Sequence, residues 1–201
     1  MSRKKGMITK MALPVRSFNF ERTFTPEEFE ALPEFEELYE LVNGKLVKKP
    51  MPGDEHGRIA RRISNELFML DPKEILGTLW LSTTFDVGTG WMPIPDLGFI
   101  RASRVPAKSR KSIKGVPDLV VEIHSPTDLR SKPERDAAAQ KILEWQKVGV
   151  GLIWAINPQK QEIEIYHLTQ PKPVRVLHNQ DELVGEDVIP GFKLKVSELL
   201  G

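Results

Sequence analysis

The stretch VPDLVVEIHS, residues 116–125, decides the fold class of this chain. Its apolar side chains fall on both faces of an extended strand, which is typical of a central strand that is covered on both sides. Ser131 and Glu134 then stand at capping-box spacing with Pro133 between them, so a helix is predicted to begin there and to run to about Val148. The strand and the helix are the first two elements of a crossover unit.

A second apolar strand, VGLIWAIN at residues 150–157, follows this helix. Two strands joined by a helical crossover usually lie parallel and side by side in one sheet. Alternating patterns at 162–168 and 174–178 predict antiparallel strands after this unit, and strands at 75–87 and 93–100 are predicted before it. The chain is therefore predicted to be an α/β protein with a central mixed β-sheet flanked by α-helices.

The amino-terminal half is predicted to contain two helices and a hairpin. Residues 25–32 predict a short helix capped by Thr25. The dipeptide Asn43-Gly44 between two apolar runs predicts a hairpin over residues 38–47. Residues 54–70 predict an amphipathic helix. Its apolar stripe consists of Ile59, Ile63, Leu67 and Leu70.

Length and composition are those of a single globular domain. The chain has 201 residues, of which 40% are hydrophobic and 28% are charged. We expect one domain over residues 24–201 and a flexible tail over residues 1–23. The absence of cysteine excludes disulfides, thiolate zinc sites and cysteine nucleophiles, and a formal charge of +1 gives no general basic coat for nucleic acid. Every apolar run is shorter than about 18 residues, so we expect a cytoplasmic protein without a membrane span.

Two carboxylates stand inside predicted strands. Asp96 lies in the sequence IPDLGF, and Glu122 lies in the central strand. Burial of a carboxylate is costly unless the group is paired or binds a cation, and acids on neighbouring strands could share Mg²⁺, which prefers oxygen ligands. The alternative is that Asp96 caps a strand end and Glu122 forms a salt bridge. By parity, Asp118 and His124 share the strand face of Glu122, although Asp118 stands at the start of the strand.

A lysine falls on the apolar face of the helix that follows the central strand. This face consists of Ala138, Lys141, Ile142, Trp145 and Val148. The Lys141 ammonium could reach water at the end of its buried stem, or it could point at the acids and there orient a water molecule or balance negative charge. His56, at the start of the helix over residues 54–70, is expected either to contact an anion or to cap that helix.

The segment from Arg101 to Gly115 is basic throughout. It contains six basic residues and no acidic residue, and it is predicted to be a loop. The segment could contact a phosphate backbone without reading bases, or it could be an ordinary surface segment. The six residues are Arg101, Arg104, Lys108, Arg110, Lys111 and Lys114.

Taken together and in order, several short motifs resemble the Uma-two family of bacterial proteins, which are described as restriction-endonuclease-like. They are YELVNG at 39–44, EHG at 55–57, PDL at 95–97, PDLVVEIHSP at 117–126, Lys141-x3-Trp145-x3-Gly149-Val150 and IWAINP at 153–158. The resemblance covers the chain from about Phe24 to Leu200. It implies the restriction-endonuclease-like fold and membership of the PD-(D/E)xK nuclease superfamily.

The resemblance also implies a metal site. Asp96 matches the aspartate of the PD motif, Glu122 matches the second acid, and Glu40 matches an early glutamate of the family. The carbonyl of Ile123 is the backbone ligand that this pattern implies. The expected cofactor is Mg²⁺, for which Mn²⁺ could substitute.

One residue departs from the superfamily pattern, which places a lysine two residues after the second acid. His124 stands at that position here. The family instead has a lysine in the next helix, and Lys141 matches it, while Trp145 replaces the usual tyrosine. The resemblance therefore implies that Lys141 takes the catalytic role of the missing lysine.

The function expected from this resemblance is a metal-dependent nuclease that hydrolyses phosphodiester bonds of DNA or another nucleic acid. Asp96, Glu122 and Lys141 would be its catalytic residues, and His56 and the basic segment would contact the nucleic acid. The alternatives are an inactive nucleic-acid-binding or regulatory module with the same fold, or a structural protein whose acids are incidental. A homodimer that pairs through edge strands near residues 162–178 is also expected.

Overall fold

The computed structural model describes residues 19–33 and 35–201, which contain four α-helices and twelve strands. The helices are α1 (Pro26–Glu30), α2 (Asp54–Leu70), α3 (Lys132–Lys147) and α4 (Val196–Leu200). The strands are β1 (Tyr39–Val42), β2 (Lys45–Lys48), β3 (Gly77–Leu81), β4 (Phe85–Asp86), β5 (Leu97–Arg101), β6 (Ile113–Lys114), β7 (Leu119–Ile123), β8 (Leu152–Asn157), β9 (Glu162–His167), β10 (Arg175–Leu177), β11 (Glu182–Val184) and β12 (Lys193–Lys195).

A six-stranded mixed sheet in the order β10-β9-β8-β7-β5-β3 forms the centre of the structure. The strands β7 and β8 are parallel and are joined by α3, whereas every other neighbouring pair in this sheet is antiparallel. All residues of β7 and β8 are buried, because both faces of the sheet are covered. The predicted α/β class and its mixed central sheet are confirmed.

The two faces of the sheet pack against different helices. Side chains of α2 and α4 join one core cluster, which includes Val121 of β7 and Trp154 of β8. Side chains of α3 join the other, which includes Val120 of β7 and Ile153 of β8. Because neighbouring residues of a strand alternate between faces, Glu122 lies on the α3 face with Val120. The crossover helix is thus placed directly over this acid.

The structure differs from the predicted strands before the crossover. The strand predicted at 75–87 is divided, because Ser82 has a φ of +44° and the chain turns there before β4. The strand predicted at 93–100 begins only at Leu97, and Pro93 and Pro95 have no N–H group to donate to a ladder. The remaining piece, β4, leaves the central sheet and pairs in parallel with β6.

Smaller differences concern the ends of other elements. Ile59, Ile63 and Leu67 of the predicted apolar stripe are buried. Leu70 is 40% exposed, because the last turn of α2 extends beyond the core. The basic segment is not a simple loop, since it contains a 3-10 turn (Ala102–Arg104) as well as β6. The predicted tail lies outside the described residues over positions 1–18. No helix in the described part of the chain is long and apolar enough to cross a membrane.

We predict opposite stability effects for two glycine-to-alanine changes. A Cβ at Gly98 in β5 would lie 2.7 Å from the ring of Phe85, which is completely buried, so Gly98→Ala should reduce the free energy of unfolding by about 1–3 kcal/mol. Gly57 in α2 has open space around its Cβ position, so Gly57→Ala should increase it by about 0.5–1 kcal/mol. Urea denaturation of both variants measures this, and equal effects would contradict the described packing of β5.

Candidate functional site

A cleft of about 510 Å³ opens where β5 begins and β7 ends. The β1–β2 hairpin and the segment after it form one side, the first turn of α2 forms another, and α3 forms the third. The structure brings together in this cleft the four polar residues that the family resemblance singled out. They are Glu40, Asp96, Glu122 and Lys141.

The hairpin carries Glu40 into the cleft. Asn43 and Gly44 have φ angles of +50° and +76°, which are the two left-handed positions that a type I′ turn requires. Leu41 pairs with Met92 through backbone hydrogen bonds of 3.2 and 2.9 Å, so the hairpin is attached to the segment before β5. Glu40 is consequently only 7% exposed, although its strand belongs to a separate two-stranded sheet.

Both carboxylate oxygens of Asp96 are bound by groups of this chain. Oδ1 lies 2.8 Å from Nζ of Lys49. Oδ2 accepts a hydrogen bond of 2.7 Å from the N–H of Ile123 and lies 3.0 Å from Nε2 of His56. Burial alone would raise the pKa of Asp96, but His56 and Lys49 together lower it below its ordinary value. These partners therefore favour the ionised form of Asp96.

Lys141 lies between the other two acids. Its Nζ is 2.9 Å from Oε1 of Glu40 and 3.2 Å from Oε1 of Glu122. The N–H of Ile94 donates to the same Glu40 oxygen at 2.9 Å, and the indole N–H of Trp145 donates to the Glu122 oxygen at 2.8 Å. Burial alone would lower the pKa of Lys141, but the two carboxylates raise it above its ordinary value. The ammonium thus points at the acids and stays charged.

Glu122 has the opposite electrostatic balance to that of Asp96. Burial raises its pKa, and although Lys141 lowers that pKa, the neighbouring carboxylates of Asp96 and Glu40 raise it further. The Glu122 carboxyl therefore resists ionisation more than an exposed glutamate does. An added cation beside it would favour its ionised form.

Within the described residues, no group of three or more His, Cys, Asp or Glu side chains is arranged to hold a metal ion. In the cleft, the Lys141 ammonium lies between Glu40 and Glu122, and the Lys49 ammonium is bound to Asp96. The donor atoms are nevertheless buried carboxylate oxygens, which are the ligands that Mg²⁺ prefers. The donor set fits a hard divalent cation, while ammonium groups of the chain now fill the space between the donors.

The carbonyl of Ile123 has a special position at this edge of the sheet. Leu97 of β5 pairs with Val121 of β7, and the same register continued by two residues places Pro95 opposite Ile123. Proline has no N–H group, so Pro95 cannot donate the ladder hydrogen bond that this carbonyl would otherwise accept. The register thus leaves a backbone oxygen beside Asp96 without its usual strand partner.

The three residues predicted to share one face of the central strand divide between its two ends. Glu122 and His124 line the cleft, and burial lowers the pKa of His124. Asp118 lies at the other end of β7, where it accepts a hydrogen bond of 2.9 Å from the N–H of Arg101 and forms an ion pair with Arg104. Asp118 is therefore not part of the candidate site.

The structure does not bring the basic segment to the cleft. None of its six basic residues lines the cavity, whereas His56 does. Four of them form ion pairs with acids of this chain: Arg101 with Asp187, Arg104 with Asp118, Lys111 with Glu30, and Lys114 with Glu30 and Asp86. Lys108 and Arg110 form no ion pair with another described residue.

Lys49 is the site residue that sequence reasoning missed. In the sequence it stands beside Lys48, and both resemble surface lysines at a strand end. The register of the β1–β2 hairpin is the signal that could have identified Lys49, because it pairs Glu40 with Val47. Since strand residues two apart share a face, Lys49 projects to the same side as Val47 and Glu40.

We predict that the Glu30 carboxylate stabilises the fold at neutral pH and loses this effect in acid. Burial alone would raise the pKa of Glu30, but hydrogen bonds from Ser112, Lys114 and Lys111 lower it to about 2. A depressed folded-state pKa adds stability above about pH 4.5, which is lost as the pH falls toward about 2. Glu30→Gln should therefore cost about 1–3 kcal/mol at pH 7 and progressively less below about pH 4.5.

Urea denaturation from pH 7 to pH 3 checks this prediction, with Glu27→Gln on the exposed side of α1 as the control. A Glu30→Gln deficit that stayed constant over this pH range would mean that the lysines of the basic segment are not held by this carboxylate.

The model of the Uma2 family, described as "Putative restriction endonuclease", matches residues 26–197. The fold is similar to the crystal structure of a protein from Anabaena variabilis ATCC 29413 that is titled a putative nuclease belonging to DUF820. The two share 24% sequence identity with a TM-score of 0.74, and the match covers 88% of this chain and 97% of that one.

No curated protein matches the chain. The family match and the structural similarity confirm the restriction-endonuclease-like fold that the sequence motifs implied. Because the family model spans nearly the whole chain, including all four polar residues of the cleft, this protein belongs to the Uma2 family of restriction-endonuclease-like proteins.

Proposed function

We propose that this protein is a divalent-metal-dependent nuclease that hydrolyses phosphodiester bonds of DNA or another nucleic acid. One observation carries the proposal: Glu40, Asp96, Glu122 and Lys141 come from four separate parts of the chain and meet in one cleft. Burying three carboxylates together is unfavourable for the stability of the fold, and the packing of the core does not need them there. Membership of the Uma2 family supports the same reading.

Asp96, Glu122, the Ile123 carbonyl and Glu40 would hold the cation, with Mg²⁺ as the proposed ion and Mn²⁺ as a substitute. When bound, a divalent cation there would polarise the phosphate and lower the pKa of a bound water molecule. Trp145 fixes one oxygen of Glu122 through its indole N–H, so the carboxylate keeps a defined orientation.

Lys141 would act as a positioning and charge-stabilising cation. The neighbouring carboxylates raise the pKa of Lys141 and favour its protonated form, so the proposed role is that of a hydrogen-bond donor. It can donate hydrogen bonds to the attacking water or to a phosphate oxygen on which negative charge develops. Lys141 would thus take the role that the superfamily pattern gives to a lysine at the position of His124.

The cleft also has an apolar wall, formed by Leu38, Val47 and Met51, which are 41%, 45% and 75% exposed. We propose that this wall contacts the sugar or base next to the scissile phosphate. Lys108 and Arg110 of the basic segment would contact phosphates farther along the nucleic acid. A homodimer would use β10, which is an edge of the central sheet, whereas β9 is interior.

The metal site predicts the outcome of a calorimetric titration with Mg²⁺ and Mn²⁺. Asp96→Asn and Glu122→Gln each remove a proposed ligand charge, so each should weaken binding at least about 10-fold. Asp118→Asn is the matched control, because it makes the same change directly before β7, at the end of that strand far from the cleft. No binding by the unmodified protein at millimolar metal, with a short DNA duplex present, would favour the inactive binding module instead.

Replacement of the lysine predicts loss of cleavage without loss of the metal. Lys141→Met should reduce the cleavage rate by about 10³-fold or more, because transition-state charge is no longer balanced, while metal still binds. Lys147→Met on the exposed side of α3 is the control and should cleave normally. The assay uses double-stranded DNA, single-stranded DNA and RNA with Mn²⁺.

Thermal unfolding of the same variants separates catalysis from stability, since Lys141→Met leaves two buried carboxylates without their cation. Cleavage at the normal rate by a folded Lys141→Met variant would mean that the lysine serves only to neutralise Glu40 and Glu122.

A further inference from the structure

Lys49 occupies a position in the cleft that is built for a cation. Its Nζ lies 2.5 Å from the carbonyl oxygen of Ile94 and 2.8 Å from Oδ1 of Asp96. The Lys49 side chain is only 11% exposed, so the ammonium has given up most of its water for these two oxygens. A carboxylate oxygen and a backbone carbonyl are also the kinds of ligand that hard divalent cations take.

Asp96 has other partners besides Lys49. Its second oxygen already receives the N–H of Ile123 and lies within ion-pair distance of His56. Removal of the lysine would therefore not leave an isolated buried carboxylate. Lys141 differs in this respect, because it bridges two acids at once. Of the two ammonium groups in the cleft, Lys49 contacts one carboxylate and Lys141 contacts two, so Lys49 has fewer ion pairs to break.

The location of Lys49 in the chain also allows it to leave. It directly follows β2, and its backbone N–H donates to the carbonyl of Leu38 at 2.8 Å, which keeps its main chain on the hairpin. The next residues, from Pro50 to Gly53, form neither helix nor strand, and Met51 is 75% exposed. Rotation of the four-carbon side chain alone would therefore move the ammonium away from Asp96 without disturbing the sheet.

We propose that Lys49 is an exchangeable counter-ion, which binds Asp96 and the Ile94 carbonyl in the free protein and is displaced when a divalent metal enters. This inference rests on the proposed metal-dependent function. Entry of the metal must then break the contacts of Lys49, so the apparent metal affinity is lower than the donor set alone would give. Lys49 therefore sets the metal concentration at which the site fills.

Calorimetric titration with Mn²⁺ tests this proposal on the full chain. Lys49→Met should bind Mn²⁺ about 10-fold more tightly than the unmodified protein, since no ammonium competes for Asp96. Lys49→Arg keeps a competing cation and should stay within about 2-fold of the unmodified protein. Lys48→Met is the matched control, because it removes the same charge from the neighbouring residue, which pairs with Glu37 instead.

A second measurement needs no variant and follows Lys49 itself. Amine acetylation of the unmodified protein, quantified by peptide mass spectrometry, should show slow reaction at Lys49 without metal and faster reaction with saturating Mn²⁺. Lys48 should react equally in both conditions. A Lys49 reactivity that stays constant or falls when the metal binds would overturn the proposal, even if Lys49→Met proved unable to fold.

The outcomes distinguish this proposal from the function on which it rests. If the unmodified protein binds Mn²⁺ and Lys49→Met binds it equally or less tightly, Lys49 is not a competing cation, while the metal site stands. If neither protein binds Mn²⁺, even with a short DNA duplex present, the metal-dependent function fails together with this inference. If Lys48→Met bound Mn²⁺ as tightly as Lys49→Met does, the gain would come from the loss of any nearby positive charge. That result would also overturn the proposal.

Discussion

The ammonium of Lys141, placed between Glu40 and Glu122, is the interaction on which the candidate site depends. Three carboxylates cannot stay ionised together in a buried cleft unless positive charge lies among them. Lys141 supplies that charge from the helix that the β7–α3–β8 crossover places over Glu122. Loss of one partner from such a buried pair typically costs about 3–5 kcal/mol, so fold and site constrain each other at this point.

The crossover explains how a lysine can reach the acids from a different element than the superfamily pattern uses. The residue two positions after Glu122 is His124, whose side chain follows the same strand face into the cleft. Lys141 approaches the same acids from α3, where its face of the helix packs on the sheet. The proposed chemistry would use an ammonium near the acids, and two different backbone positions could supply it.

Much of the fold was predictable because its strongest elements carry local signals. The apolar runs of β7 and β8, the capping box before α3 and the Asn43-Gly44 turn each specify a structure from a few neighbouring residues. The divided strands between β3 and β5 were less predictable. Ser82 and the prolines turn the chain there, and the pattern of apolar residues does not show these turns. There, long-range pairing of β4 with β6 decides the outcome.

The site was predictable in part for the same reason. Glu122 and Lys141 lie on elements whose inward faces the periodicity shows. Asp96 lies directly before β5, and the motif order added Glu40. Lys49 was not predicted as a site residue. It points inward only because of the register of the hairpin and the way that the hairpin packs on the rest of the protein. The basic segment showed its charge in the sequence but not its partners, since Glu30, Asp86, Asp118 and Asp187 are distant in the chain.

The hairpin that carries Glu40 and precedes Lys49 is attached to the rest of the protein by a small core of its own. That core contains the buried side chains of Phe24, Leu41 and Met92, separate from the two clusters on the faces of the central sheet. Small cooperative units of this kind open at lower free energy than the core of a domain. Warming should therefore detach the hairpin side of the cleft while the sheet remains folded, so the temperature at which the site is lost would lie below the temperature at which the protein unfolds.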